Sequence, residues 1–352
     1  MFRQNTVFVV GAGASCELGL PSGDTLMDSI AQHLAPNTGP HGFSHDGILV
    51  PLMKRAQEHH GIHWVTPMQS YRDKAIQMRK ALPYARSIDT YLESQRDDPD
   101  LVYLGKLAIA QAILQAERGS HLSPLQGDDG VQKLRKTWYP ALGRILTAGH
   151  HRGNIGNLFS NVSFIVFNYD RCLETFLLRM IRDYFGIEDE AAKVFSSATI
   201  VHAYGQVGSL IHDRKYVPFG GSGDVDLNVV AEGIKTYTES ADAGTTERIR
   251  SLVKDANTIV FMGFGYLAQN LQLLSPDRGS GVKQVIATAY NMSTQDREAI
   301  SGKLLSEFGE IERYYSGERL VDGGRRQSFR TIFELGTCRD LMSNNIFSLA
   351  DQ

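Results

Sequence analysis

The start of the chain constrains its fold most. The apolar run Val7-Phe-Val-Val10 leads straight into Gly11-Ala-Gly13-Ala-Ser15, and Gly19-Leu-Pro21-Ser-Gly23 follows at once. A short β-branched and aromatic run that ends in closely spaced glycines reads as a buried parallel strand turning sharply into a helix. Such a turn aims backbone N–H groups, and the positive end of the helix dipole, at an anion. Two common versions of the loop are missing. A dinucleotide fingerprint needs a third glycine at position 16, where Cys16 stands. A phosphate-binding P-loop needs Gly-Lys-Ser/Thr, and the first lysine is Lys54.

The rest of the chain repeats the strand signal at intervals. Ser22 to Leu34 has helical period, with Asp24 in its first turn, and residues 37–47 are rich in Gly, Pro and His and read as a loop. From there to about residue 160 the period is helical: Ser87 is a candidate N-cap, Leu101, Leu104, Leu107, Ala108 and Leu114 recur at three- and four-residue steps, and Trp138, Leu142 and Leu146 run to Gly149. Strands are predicted at Phe164–Phe167, Thr199–Tyr204, Thr258–Phe261 and Gln284–Tyr290, with helices at Leu173–Ile181, around Leu271–Leu274 and at Asp296–Phe308. Short apolar strands alternating with helices call for a parallel sheet covered on both faces. The predicted fold class is therefore α/β: a doubly wound, Rossmann-like sheet in one domain spanning 1–352, with a large helical insertion at 35–160 after the first strand. That insertion is expected to stand beside the sheet and wall off a cleft at the carboxyl ends of the strands, where such sheets bind ligands.

Composition narrows the classes. Apolar content is 42%, charged content 21% and the formal net charge −3, ordinary values that argue against a broad phosphate-tracking surface. Cys16, Cys172 and Cys338 form no CxxC pair, so a cysteine-built zinc site is excluded, and no metal is expected. His41-x-x-x-His45 and His59-His60-x-x-His63 lack a cysteine or carboxylate partner for a metal. No apolar stretch approaches the ~20 residues of a membrane span, and no signal-like start is present, so the expected location is cytoplasmic.

Four predicted strand ends carry unusual polar groups: Gly11 to Ser15, Asn168 to Asp170, His202 to Gly205, and Gly263 to Gly265 with Tyr290-Asn291 behind. Their order resembles the sirtuin fold, and specifically the zinc-free sirtuin-like domains of prokaryotic antiphage defence proteins. Also similar are Gly19 to Gly23, Ser87-Ile-Asp89-x-Tyr-Leu92, Phe167-Asn-Tyr-Asp170-x-x-Leu-Glu174, and Met262-Gly-Phe-Gly-Tyr266 followed by Gln269-Asn270-x-x-Leu-Leu274. The resemblance implies an NAD site. Gly11, Ala12, Gly13 and Ser15 would cradle the pyrophosphate, with Gly263 and Gly265 near the adenosine ribose and Asn291 on that ribose or the adenine. Asn168 would be the catalytic Asn holding the nicotinamide ribose and a water, and His202 the catalytic His.

Those residue types suit the chemistry. Nicotinamide leaves NAD with oxocarbenium character developing at the ribose, so the site must position the sugar and admit one water. An amide holds hydroxyls without titrating, and an imidazole supplies a base near neutral pH. Protein deacylation is disfavoured: there is no four-cysteine ribbon, Pro21 is followed by Ser-Gly, and His202 by Ala203 rather than Gly. Other residues keep two readings. Asp170 is either a helix N-cap or a ribose contact, and Asp89 either a first-turn acid or part of the site. Cys16 reads as a small buried residue. Tyr204, two positions beyond His202 on the same strand face, reads as packing. A bulky side chain at Gly13 is expected to abolish NAD binding and leave the fold intact.

The expected function is an NAD glycohydrolase that releases ADP-ribose and nicotinamide, acting in antiphage defence by depleting NAD. Such an enzyme needs control, either by homo-oligomerisation or by a partner such as a ring-forming ATPase or helicase or a nucleic-acid-guided protein. The alternatives are a non-catalytic NAD- or ADP-ribose-sensing subunit and a component of a nucleic-acid-processing defence complex.

Overall fold

The structure of the chain is a computed structural model, and it describes residues 1–2, 4–35, 46–60, 65–211, 213, 215–221, 225–240, 243–276, 280–309, 311–316, 319–325 and 329–350. The strands are β1 (Thr6–Val10), β2 (Val162–Val166), β3 (Thr199–His202), β4 (Thr258–Met262) and β5 (Gln284–Thr288). Beyond a separate antiparallel hairpin of β6 (Ile311–Ser316) and β7 (Arg319–Arg325) comes β8 (Arg330–Glu334). Between β1 and β2 run α1 (Ala12–Cys16), α2 (Gly23–His33), α3 (Asp46–His60), α4 (Val65–Ala81), α5 (Ile88–Ser94), α6 (Pro99–Gly119), α7 (Gly127–Leu134) and α8 (Tyr139–Thr147). Then α9 (Cys172–Phe185) and α10 (Ala191–Phe195) lead to β3, and α11 (Leu227–Glu232), α12 (Tyr237–Ser240) and α13 (Ala243–Asp255) to β4. Helices α14 (Ala268–Leu274) and α15 (Thr294–Phe308) follow β4 and β5, and α16 (Cys338–Asn344) and α17 (Ile346–Leu349) come after β8.

The main sheet has the order β3-β2-β1-β4-β5-β8, and all its neighbours are parallel. Its central strands β1, β2 and β4 are apolar apart from Thr6, Ser163 and Thr258 because both faces are covered. Val7, Val9, Ile165, Ile259, Phe261 and Val285 face one layer, which includes α2 to α6, α13 and α14. Phe8, Val10, Phe164, Val166, Val260 and Ile286 face the other, which includes α8, α9 and α16. The Rossmann-like α/β fold read from the strand pattern is therefore present. The chain builds from β1 outward to β3, then returns to β4 and builds outward to β8, so the order reverses between β1 and β4. The crevice at such a reversal is where doubly wound sheets bind ligands. Register sets the strand ends in one row: Val10 pairs with both Val166 and Met262, and Val166 with His202.

Local chemistry explains the boundaries. Ser22, Ser87 and Asp98 cap α2, α5 and α6 by accepting the N–H groups of Thr25, Thr90 and Leu101. The helices between β1 and β2 do not all stand on one side of the sheet. α8 lies in the second layer, where Trp138 donates its indole N–H to the Ala14 carbonyl at 2.9 Å. β3 stops at His202, short of the predicted Tyr204. Gly205 turns the chain there with φ +71, and a Cβ on it would fall 1.9 Å from the Gly233 carbonyl oxygen. β8 was not legible because Arg330 and Glu334 bracket only Thr-Ile-Phe, which suffices for a half-buried edge strand. The predicted loop at 37–47 lies outside the described residues, apart from Asp46 and Gly47, which begin α3.

Candidate functional site

At the reversal point the two glycine loops touch. Gly11 N–H donates to the Met262 carbonyl at 2.9 Å, and Gly13 N–H to the Gly263 carbonyl at 3.0 Å. A Cβ on Gly11 would come within 2.5 Å of the Gly263 oxygen, and one on Gly13 within 2.9 Å of the Gly263 Cα. Gly263 itself has φ +58, and its Cβ would lie 2.1 Å from the Ala14 nitrogen. These glycines thus let two backbones cross, which gives them a packing reason to be glycine. It also corrects one expectation: a bulky residue at Gly13 strikes Gly263 and disturbs the fold. Ala12 and Gly13 are half-buried, and Ser15 is buried.

Gly265 is exposed, with open space where a Cβ would sit, so packing does not require glycine there. Beside it Tyr266 holds a left-handed φ of +53 and donates its hydroxyl to the Thr288 carbonyl at 3.0 Å. Asn291, also left-handed at φ +56, lies exposed in the turn after β5.

Asn168 follows β2 and is buried. Its Nδ2 donates to the Gly11 carbonyl at 3.1 Å and to Ser15 Oγ at 3.0 Å. Its Oδ1 is buried without a hydrogen-bond partner in the protein. Buried polar atoms are nearly always paired, and an orphan acceptor costs about 1–3 kcal/mol, so the atom invites a donor from outside the chain. Asp170 is buried nearby, one residue before the N-cap Arg171 of α9, and its Oδ1 accepts the Cys172 N–H at 3.0 Å. Burial pushes its carboxyl above the usual aspartate range.

His202 ends β3 and has both ring nitrogens engaged. Nδ1 lies 3.0 Å from the main-chain oxygen of Asn168, and Nε2 lies 2.5 Å from Glu174 Oε1 on α9. Burial works to lower its pKa, but the charge and hydrogen bond of Glu174, the Asn168 carbonyl and Asp170 outweigh it, and the net direction is upward. Glu174 Oε2 is buried and unpartnered. Glu174, His202, Arg171 and Gln206 line a cavity of about 320 Å³; a cavity of about 860 Å³ adjoins it through Leu210 and Ile211, and another of about 880 Å³ is lined by other residues. Tyr204 does not share the face of His202. The turn at Gly205 carries it into the first layer, where it packs edge-on to Phe167 and donates to Asn270 Oδ1 at 2.6 Å.

Two further ties hold the loop after β2. Tyr169 donates its hydroxyl to Asp89 on α5, so Asp89 reaches the candidate site as well as opening a helix. Arg171 and Glu117 form an ion pair of 2.5 Å with both side chains fully buried. Glu117 also accepts the main-chain N–H groups of Arg171 and Gly220, and Arg171 donates to the carbonyls of Val217 and Pro218. Sequence reading missed this pair and the Glu174–His202 contact. Each had a signal: Glu117 falls three residues after Leu114 on the apolar stripe of α6, and Glu174 is an acid in the first turn of α9.

Among the described residues no group of three or more His, Cys, Asp or Glu side chains is placed to hold a metal, and no helix is long and apolar enough to cross a membrane. His41, His45 and His63 lie outside the described residues. Cys16 is exposed rather than buried, and Cys172 and Cys338 are buried; all three are free thiols. No protein-family pattern matches the chain, and no curated protein sequence matches it.

Proposed function

We propose that the chain is an NAD glycohydrolase with a sirtuin-type site, the helices between β1 and β2 serving as its insertion. The observation that carries this reading is the buried, unpartnered Oδ1 of Asn168 at the reversal point, beside Gly11 and Ser15. An amide acceptor in that setting suits a ribose hydroxyl or a single water and does not titrate with either. In the reaction the C1′–N bond of the nicotinamide ribose breaks and its electron pair leaves with neutral nicotinamide. Water then adds to C1′ and loses a proton to solvent. Asn168 orients the ribose and the water, and turnover depends on Asn168 and His202 together. The half-buried turn of Ala12 and Gly13, with Ser15, receives the pyrophosphate, while Gly263, Gly265 and Asn291 flank the adenosine side. Asp170, already held by the α9 terminus, acts by keeping Asn168 in place. In this reading NAD is the substrate, no metal takes part, and the role is antiphage defence by NAD depletion in the cytoplasm. Homo-oligomerisation or a partner such as a ring-forming ATPase or a nucleic-acid-guided protein supplies the control.

One observation favours a second reading, a binding module for NAD or ADP-ribose. Both His202 nitrogens are engaged within the protein, and a sensor needs no free base. Incubating the purified protein with NAD and following nicotinamide and ADP-ribose separates the two: the enzyme releases both, and the module binds without release.

A further inference from the structure

We propose that His202 is a positioning residue: its Nδ1–H holds the main-chain carbonyl of Asn168, and Glu174 holds His202 through Nε2. The inference rests on the glycohydrolase reading and assigns His202 and Glu174 a different task within it from proton transfer.

A main-chain carbonyl accepts and never donates, so the 3.0 Å contact between Nδ1 and the Asn168 oxygen requires a proton on Nδ1. That nitrogen therefore has no lone pair to offer a substrate. Nε2 is the only position at which the ring can change protonation, and Glu174 Oε1 occupies it at 2.5 Å. While the shared proton is present, on nitrogen or on oxygen, the contact holds, and the Nδ1–H stays with or without it. Removing a proton from water with this imidazole would first require breaking its bond to Glu174.

The geometry of Asn168 gives the strut a purpose. Its side-chain nitrogen is tied to Gly11 and Ser15, and its main-chain oxygen to His202, so the residue is pinned from both ends. What stays free is Oδ1, the atom assigned to the ribose or the water. Misplacing a positioning group by about 1 Å costs roughly a hundredfold in rate. Glu174 extends the line to α9, the helix that begins right after the loop. The chain Glu174–His202–Asn168 thus ties the first turn of α9 to the end of β3 and to the loop between β2 and α9.

Replacement by asparagine separates positioning from acid–base chemistry, because an Asn amide nitrogen takes the place of Nδ1 and has no basic lone pair. Nicotinamide release by His202→Ala is expected to fall about a hundredfold or more, while His202→Asn and Glu174→Gln stay within about tenfold of the parent. All three are expected to bind ADP-ribose as the parent does. If His202→Asn falls as far as His202→Ala while binding ADP-ribose normally, the imidazole is the proton acceptor and the proposal is overturned. Nitrogen-15 shifts of the His202 ring give a readout independent of turnover: Nδ1 is expected to carry a proton at every pH at which the protein is folded. A bare Nδ1 at any of them overturns the proposal. A parent protein that binds NAD but releases no nicotinamide overturns the glycohydrolase reading instead, and the ring shifts still decide whether the strut exists.

Discussion

On the β1–β4 side of the reversal point glycine backbones cross and bond directly; on the β1–β2–β3 side the backbone bonds of Phe167 and Ala203 are joined by a set of side-chain ties. Gly11, Gly13 and Gly263 cross with no side chains between them. Asn168, His202, Glu174, Asp170 and Ser15 form a buried polar cluster a few ångströms away. The contrast shows that glycines at a strand end have two explanations, and that they differ in what they leave open. The crossing uses the Gly13 N–H internally and has a structural reason to be there with or without a ligand. The side-chain cluster leaves two buried acceptors, Asn168 Oδ1 and Glu174 Oε2, without a hydrogen-bond partner in the chain, and the first belongs to the residue tied to Gly11 and Ser15. An outside donor is therefore wanted on the polar side and not at the crossing.

The largest expected effect on stability lies behind the polar side. Glu117→Ala leaves the Arg171 guanidinium buried without its counter-charge and removes the acceptor of the Gly220 N–H. A loss of about 3–5 kcal/mol in urea unfolding is expected; a loss below about 1 kcal/mol would mean that the pair does not anchor the loop. On the glycine side, Gly263→Ala combines a left-handed φ of +58 with a Cβ only 2.1 Å from the Ala14 nitrogen and is expected to cost roughly 3 kcal/mol. Gly13→Val, which meets backbone at 2.9 Å, is expected to cost about 1–3 kcal/mol. Gly265→Ala meets open space and should stay within about 0.5 kcal/mol. Equal losses at all three glycines would erase the distinction between the crossing glycines and Gly265.

A smaller effect depends on pH. Burial lowers the pKa of His202, but Glu174 and Asp170 with the Asn168 carbonyl raise it further, so its folded value lies above the ordinary ~6.5. The stability contributed by the charged ring is fully present below that ordinary value and is lost as pH rises through the raised one. Glu174→Gln is therefore expected to destabilise the protein more at about pH 6 than at about pH 9, as read by chemical unfolding at both. A difference independent of pH would show that Glu174 contributes packing rather than charge.

Much of this architecture was legible in the sequence because its signals are local. Val7 to Val10 followed by glycines, the apolar runs of β2, β4 and β5, and the caps at Ser22 and Ser87 each depend on neighbours along the chain. The juxtaposition of Gly11 with Asn168 and Gly263 followed from the topology rule for parallel sheets. What was not legible depends on partners far apart in sequence. Arg171 needs Glu117, 54 positions away, and Tyr169 needs Asp89, 80 positions away. The face of Tyr204 was misread because the end of β3 is set by Gly205 against Gly233, a contact that strand periodicity does not encode. β8 escaped because an edge strand half-exposed to solvent carries little hydrophobic signal.

The central claim is that the unpartnered oxygen of Asn168 serves a reaction. The direct test incubates the parent and Asn168→Ala with NAD across a series of protein concentrations and measures free nicotinamide and ADP-ribose. The parent is expected to release both in equal amounts. Asn168→Ala, folded and still binding ADP-ribose, is expected to release them about a hundredfold more slowly or worse. Release by Asn168→Ala at the parental rate, or a parent that binds NAD and leaves it whole, would contradict the claim.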